Sequence, residues 1–206
     1  MLWQLKRARR SRYFRLRAVL AGGLVLGVAA AVTVASWNDS EFSRSTLTTS
    51  TFATQSSADG VTFASNPAAP GATLTFAATA MEPTVSTFAL LDVRTTSATT
   101  VAGTVQLTSA TATGTLAPAL EYRAIRTTTA TTCNAAAFSG TPTFVAGGAS
   151  TYLAAATVPA TPVPSTVALG GGVIRFCFDV RVKAGAANSL QGTTAALTWQ
   201  FAAASN

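Results

Sequence analysis

Histidine is missing from all 206 residues, and beyond residue 17 the chain has one lysine, two cysteines and seven carboxylates. Without an imidazole, the Ser-His-Asp and Cys-His arrangements and zinc sites of the H-E-x-x-H type are excluded, because each needs that ring as base or ligand. The carboxylates Asp39, Glu41, Asp59, Asp92 and Asp179 are not grouped like an EF-hand or a calcium-binding repeat. Glu82 and Glu121 carry no local sign of a glycosidase pair. A Ser/Lys dyad would have to use Lys183, which falls at a strand end and reads as a solvated charge. No G-x-x-x-x-G-K-[ST] phosphate loop occurs, and Gly170 to Gly172 precede a strand and read as a turn. No base, nucleophile and orienting group can be named together. The sequence therefore predicts no catalytic residue, no metal site and no cofactor.

The formal charge of +7 is unevenly placed. Lys6, Arg7, Arg9, Arg10, Arg12, Arg15 and Arg17 account for seven of the 14 basic residues, leaving seven against seven acidic ones in the rest of the chain. A phosphate-binding surface needs basic residues spread over the folded part. Here Arg44, Arg94, Arg123, Arg126, Arg175, Arg181 and Lys183 stand singly, so nucleic acid is not expected as a partner. After the basic cluster, Ala18 to Ala35 run as AVLAGGLVLGVAAAVTVA without a charge and end in small side chains. This is the layout of a secretory signal peptide. Thr33 and Ala35 suit the narrow pockets of a signal peptidase, which places cleavage between Ala35 and Ser36. Eighteen helical residues reach about 27 Å, so the same segment, if retained, is an anchor spanning a bilayer. The basic cluster stays cytoplasmic in either case.

The run LAGGLVLGVAAAVTVASWNDSEFS, followed by STLTTSTFAT, resembles the SipW-type signal peptides of the camelysin/TasA family. Ala35-Ser36-Trp37-Asn38-Asp39 resembles the processing region of that group. PGATLTF, FALLDVRTT, VAGTVQLTSAT and LQGTTAALTWQF are similar to the bodies of such secreted proteins. The resemblance implies a jelly-roll-like β-sandwich, secreted and trimmed by a signal peptidase of the SipW type, with some relatives assembling into biofilm fibres. Others carry a metallopeptidase label, which cannot transfer to a chain without histidine. The chain departs from the family's fibre formers in being poor in Lys and Glu and in holding two cysteines. A fibre in this setting would use the freed segment from Ser36 to about Thr54, with Thr46, Leu47 and Phe52, as a strand added to a neighbouring subunit's sheet edge.

Read from its own residues, the mature part is rich in Thr, Val, Ala, Ser and Gly, which favours strands over helices. Low net charge with recurrent Phe, Leu, Val, Tyr and Trp is the opposite of the disorder signature. Short β-prone runs separated by Gly, Pro, Asn, Asp and Ser predict an all-β, jelly-roll-like or Ig-like antiparallel sandwich spanning residues 36–206 as one domain. The predicted strands are Ser45–Thr54, Val61–Ala64, Ala72–Ala78, Val85–Thr95, Thr99–Thr108, Leu120–Arg126, Ser150–Thr157, Gly172–Lys183 and Thr193–Ala203. Pro159 to Ser165 reads as a breaker. In the clearest strand, Ile174, Phe176, Phe178, Val180 and Val182 alternate with Arg175, Cys177, Asp179, Arg181 and Lys183, one face core and the other polar. Ala195, Leu197, Trp199 and Phe201 alternate likewise. Phe88, Leu90, Val101, Val105, Leu107, Leu120 and Tyr122 are expected to meet them in one core.

Cys133 and Cys177 are the only cysteines, and in an oxidising compartment two lone cysteines join. The expected bridge crosses the outside of the sheet and ties down Thr127 to Gly140. These features together predict a non-catalytic secreted protein of the cell surface or extracellular matrix, a fibre or biofilm subunit being one form of it. The alternative is a membrane-anchored binding or adhesion domain.

Overall fold

The computed structural model describes residues 13–24, 48–68, 71–76 and 81–206. The chain divides into two units, Met1–Thr48 and Thr49–Asn206. In the first, residues 13–24 form an exposed helix, built largely from Arg, Leu and Ala, which favour that conformation. Among the described residues, no helix is long and apolar enough to cross a membrane. The expected cleavage pair Ala35 and Ser36, and Thr46 and Leu47 of the expected exchange segment, lie outside the described residues.

The second unit is an antiparallel β-sandwich. Its strands are β1 (Thr54–Ser57), β2 (Thr87–Thr95), β3 (Gly103–Thr113), β4 (Leu120–Thr127), β5 (Thr143–Ala146), β6 (Leu153–Ala154), β7 (Ser165–Val167), β8 (Val173–Val182) and β9 (Ala196–Ser205). The larger sheet runs β1-β2-β8-β4-β5, with β6 also on β4, and the smaller runs β7-β3-β9. The long central strands carry the most regular alternation of apolar residues. In β8, Phe176 and Phe178 are fully buried between the sheets, with Ile174, Val180 and Val182 beside them. Trp199 and Phe201 of β9 close over this row from the smaller sheet, with ring centroids 4.6 Å apart for Phe178 and Trp199 and 4.5 Å for Phe176 and Phe201. Val105 and Leu107 of β3 and Tyr122 of β4 complete the core. Each such side chain contributes roughly 1.5 to 3 kcal/mol by transfer from water, before chain entropy is counted.

Several sequence expectations are corrected. Phe88 is not in the inter-sheet core. Its register opposite Asp179 places it on the outer face of the larger sheet, where it packs with Phe138. Leu90, opposite Cys177, shares that face, while Ala89, Leu91 and Val93 turn inward and are buried. Residues 48–53 of the expected strand Ser45–Thr54 form no ladder, and the strand begins at Thr54. Of Val61–Ala64, only Ala64 makes a bridge, to Ser56, because Asp59 folds the preceding residues into a turn. Its carboxylate accepts from the Ser57 hydroxyl at 2.6 Å and from the Val61 and Thr62 amides at 2.8 and 2.7 Å. These donors hold the Asp59 carboxyl far below its ordinary range. Residues 72–76 form no ladder, with a bend at Ala72, and residues 77–78 of that expected strand lie outside the described set. Within Ser150–Thr157 only Leu153–Ala154 pairs. The Pro159 to Ser165 breaker ends in a strand, β7, and β5 was not foreseen.

Candidate functional site

Two places on the sandwich gather the residues singled out by sequence: the outer face of the larger sheet, around Cys177, and the end of the smaller sheet, around Phe52. The outer face is a set of cross-strand rows fixed by register. Arg175 stands opposite Asp92, Asp179 opposite Arg123, Arg181 opposite Glu121, and Arg94 opposite Gln55. Cross-strand neighbours on one face lie close enough for their side chains to meet, so charges that stand singly in the sequence become pairs in the sheet.

The Arg175 guanidinium grips Asp92 with two parallel bonds, Nε to Oδ1 at 2.7 Å and Nη2 to Oδ2 at 2.8 Å. Its third nitrogen, Nη1, donates to the carbonyls of Thr129 and Thr131 at 2.9 and 3.0 Å. The bonds to Asp92 raise the Arg175 pKa against the opposing effect of burial, as charge-assisted, bidentate pairing should. Arg123 Nε donates to Asp179 Oδ2 at 2.9 Å, and the Tyr152 hydroxyl donates to the same oxygen at 2.8 Å. Arg123 also reaches the Ala149 carbonyl. Tyr152 lies under two guanidinium groups, 3.5 Å from ring centre to Arg181 and 4.8 Å to Arg123. Burial first, then the hydrogen bond and charge of Asp179, push the Tyr152 hydroxyl above its ordinary pKa, with Ser86 and Arg123 acting the other way. Tyr152 is thereby held as a proton donor. These groups saturate one another's charge, with Asp179 Oδ1 left as a buried oxygen without a partner.

The bridge between Cys133 and Cys177 lies in the middle of this face, with Cα atoms 5.3 Å apart. Its position on the outside of the sheet agrees with the alternation of β8, but the surroundings do not match the expected polar face. Cys177 is fully buried, clustered with Ile125 and Phe138, and flanked by Phe88, Phe144 and Ala137. The cover is the connection from β4 to β5. Within it Asn134 caps the short 3-10 turn Ala135–Phe138, accepting from the amides of Ala136 and Ala137 at 3.0 and 3.3 Å. Capping points the turn so that Phe138 falls onto the sheet. The disulfide, the Arg175 contacts to two carbonyls and the Arg123 guanidinium, 4.9 Å from the centre of the Phe138 ring, then hold the connection down, giving the sandwich a third layer with its own small core.

At the other place, Phe52 is half-buried and its ring lies against Gly103, where an added Cβ would collide with it and with the Ala204 carbonyl. Threonines tie the adjoining backbone. The Thr51 amide donates to Thr100 Oγ1 and the Thr100 amide to the Thr51 carbonyl, both at 3.0 Å. Ala53 exchanges bonds with Thr99 Oγ1 in both directions, at 3.2 and 3.0 Å. Residues 51–53 are therefore seated on their own subunit beside the β3 start. The sequence offered no signal for this beyond the density of threonine.

Among the described residues, no group of three or more His, Cys, Asp or Glu side chains is gathered to hold a metal. Compared with known proteins, the chain matches no protein family, no characterised protein and no solved structure.

Proposed function

We propose that this chain is an exported, non-catalytic protein of the cell surface or extracellular matrix, whose sandwich serves as a structural subunit. The observation that carries the reading is the joining of a leader-like N-terminus to a body in which six of the described charged side chains pair with one another across strands. The described ion pairs Arg175–Asp92, Arg123–Asp179 and Arg181–Glu121 and the buried disulfide suit a domain that must persist outside the cell, where a disulfide is stable. In the subunit reading, a SipW-type signal peptidase frees Ser36, and the part of the expected 36–54 segment that precedes Thr51 adds as a strand to a neighbour's sheet edge, residues 51–54 being held by their own domain. Phe52 marks the point where that segment meets its own domain.

A second reading, a membrane-anchored binding domain, is favoured by the eighteen uncharged residues Ala18 to Ala35, which reach about 27 Å as a helix. Intact mass of protein from the medium and from membranes of the producing cell separates the two. A medium species beginning at Ser36, forming fibres that are lost when residues 36–47 are deleted, supports the subunit. A full-length species confined to membranes sinks that reading and leaves the anchored domain. A species that begins at Ser36 and stays monomeric at high concentration leaves export intact and removes assembly.

A further inference from the structure

The smaller sheet ends in β9, ten residues long and, among the described residues, paired on one side only, to β3. A long edge strand is ordinarily protected by charge, proline or a bulge. Ala196–Ser205, sequence ALTWQFAAAS, has no charge and no proline, and the register irregularity between Leu107 and Ser109 lies in the β3 partner.

Beside this edge, residues 71–76 behave as a strand that has not been laddered. Ala72, Leu74 and Phe76 are half-buried, while Thr73 and Thr75 are exposed, the period-2 pattern of a strand with one face inward. The half-buried set packs against the same core as Leu197, Trp199 and Phe201 of β9, with Phe76 and Trp199 ring centroids 6.4 Å apart. Yet no backbone hydrogen bond joins residues 71–76 to any described residue. The seat is also loosely filled. A cavity of about 820 Å³ lies between this segment, β9 and the β2–β8 face, lined by Leu74, Phe76, Leu91, Phe178, Trp199 and Phe201 among others. The indole nitrogen of Trp199 is buried without a hydrogen-bond partner. At one end Gly71 has φ +73° and open space around it, a ready pivot.

We propose that the edge of β9 left unpaired by the described residues accepts residues 71–76 of a second copy of this chain, and that two copies exchange these segments reciprocally. Among the described residues, leaving its own seat costs the segment no backbone bond, whereas a strand laid along β9 gains a ladder. Neither partner carries an ionisable side chain, so the like-charge repulsion that normally guards an edge is lacking. The area suffices. Phe76 brings roughly 150 Å² from each copy, and the other five residues about as much again. With the matching acceptor surface, two reciprocal seams total about 1,200 Å², the lower limit of stable interfaces. Exchange of an identical element closes a two-fold dimer at little cost. The proposal requires neither export nor the N-terminal segment, so its failure is distinct from failure of the subunit reading.

The test uses full-length chains in isotopically light and heavy forms, each with a photo-crosslinking side chain in place of exposed Thr75, mixed and refolded together. Crosslinks between light and heavy chains, running from position 75 into Ala196–Ser205, are expected. A companion variant, Thr198→Lys with Gln200→Lys, places charges on exposed edge positions and should lower the mixed crosslink about tenfold without altering the circular dichroism spectrum. Crosslinks from position 75 to β9 of the same chain only, no crosslink to β9 at all, or an unchanged mixed yield in the lysine variant would each overturn the proposal.

Discussion

Replacing both cysteines by alanine, Cys133→Ala with Cys177→Ala, should remove about 4 kcal/mol of stability. The bridge closes a loop of 44 residues, and the chain-entropy relation gives about 4 kcal/mol for that length at 25 °C. The native side of the balance should change little. The covering connection is held independently by Arg175 on the Thr129 and Thr131 carbonyls and by Phe138, which is packed against Phe88 and Phe144. The effect therefore falls mainly on the unfolded chain, which becomes free to expand. Two signatures follow in urea unfolding of the oxidised protein and the double variant. The extrapolated stability drops by about 4 kcal/mol, and the dependence on denaturant steepens because more surface is exposed on unfolding. For a domain of this size the melting temperature should fall by about 8 to 16 °C. A loss under about 1 kcal/mol with an unchanged slope would refute the loop argument. Hydrogen exchange showing the β4–β5 connection already open in the native variant would refute the claim that the arginine contacts and the Phe138 cluster suffice to hold it.

Other perturbations address the charge rows, the core and the Phe52 seat. Asp92→Ala leaves the Arg175 guanidinium without its carboxylate on a covered face and should cost about 3 to 5 kcal/mol, whereas Asp92→Leu with Arg175→Met should recover much of that loss; chemical unfolding of the three proteins measures both. The Tyr122 hydroxyl donates to the Thr157 carbonyl at 2.8 Å, and its burial, eased by the Trp199 indole, pushes its pKa up to about 12 from 10. Because the folded value is the higher one, its contribution is intact below pH 10 and is lost as pH rises from 10 to 12, by about 3 kcal/mol in all. Tyr122→Phe should cost about 1 kcal/mol at neutral pH and flatten that alkaline decline, with tyrosinate absorbance and unfolding followed together. Gly103→Ala forces the new Cβ against the Phe52 ring and the Ala204 carbonyl. It should destabilise the domain by about 1 to 3 kcal/mol and speed exchange of the Ala53 and Thr100 amides, read residue by residue by nuclear magnetic resonance.

What could be read without a structure was whatever depends on neighbours in sequence. Strict alternation from Ile174 to Val182 identified the two faces of β8, and that from Leu197 to Phe201 did the same for β9, because side chains in a strand point to opposite sides with period 2. Composition identified the all-β class, and the count of two cysteines predicted a bridge that the fold makes. Short strands such as β5 and β7 were illegible. Three or four residues carry too little pattern, and Ser165–Val167 pairs only because β3 lies alongside it.

Tertiary structure decided which residues meet. Asp92 and Arg175 are 83 positions apart, and Arg123 and Asp179 are 56 apart. Their pairing depends on strand order and register, quantities that alternation leaves undetermined. The same holds for Phe88, whose place on the outer face follows from its position opposite Asp179 and not from its apolarity. Cys177 could be assigned to a face by counting, but its burial required the β4–β5 connection to fold back over the sheet. Local chemistry thus determined what each strand offers to either side, and only the assembled sheets decided what covers it.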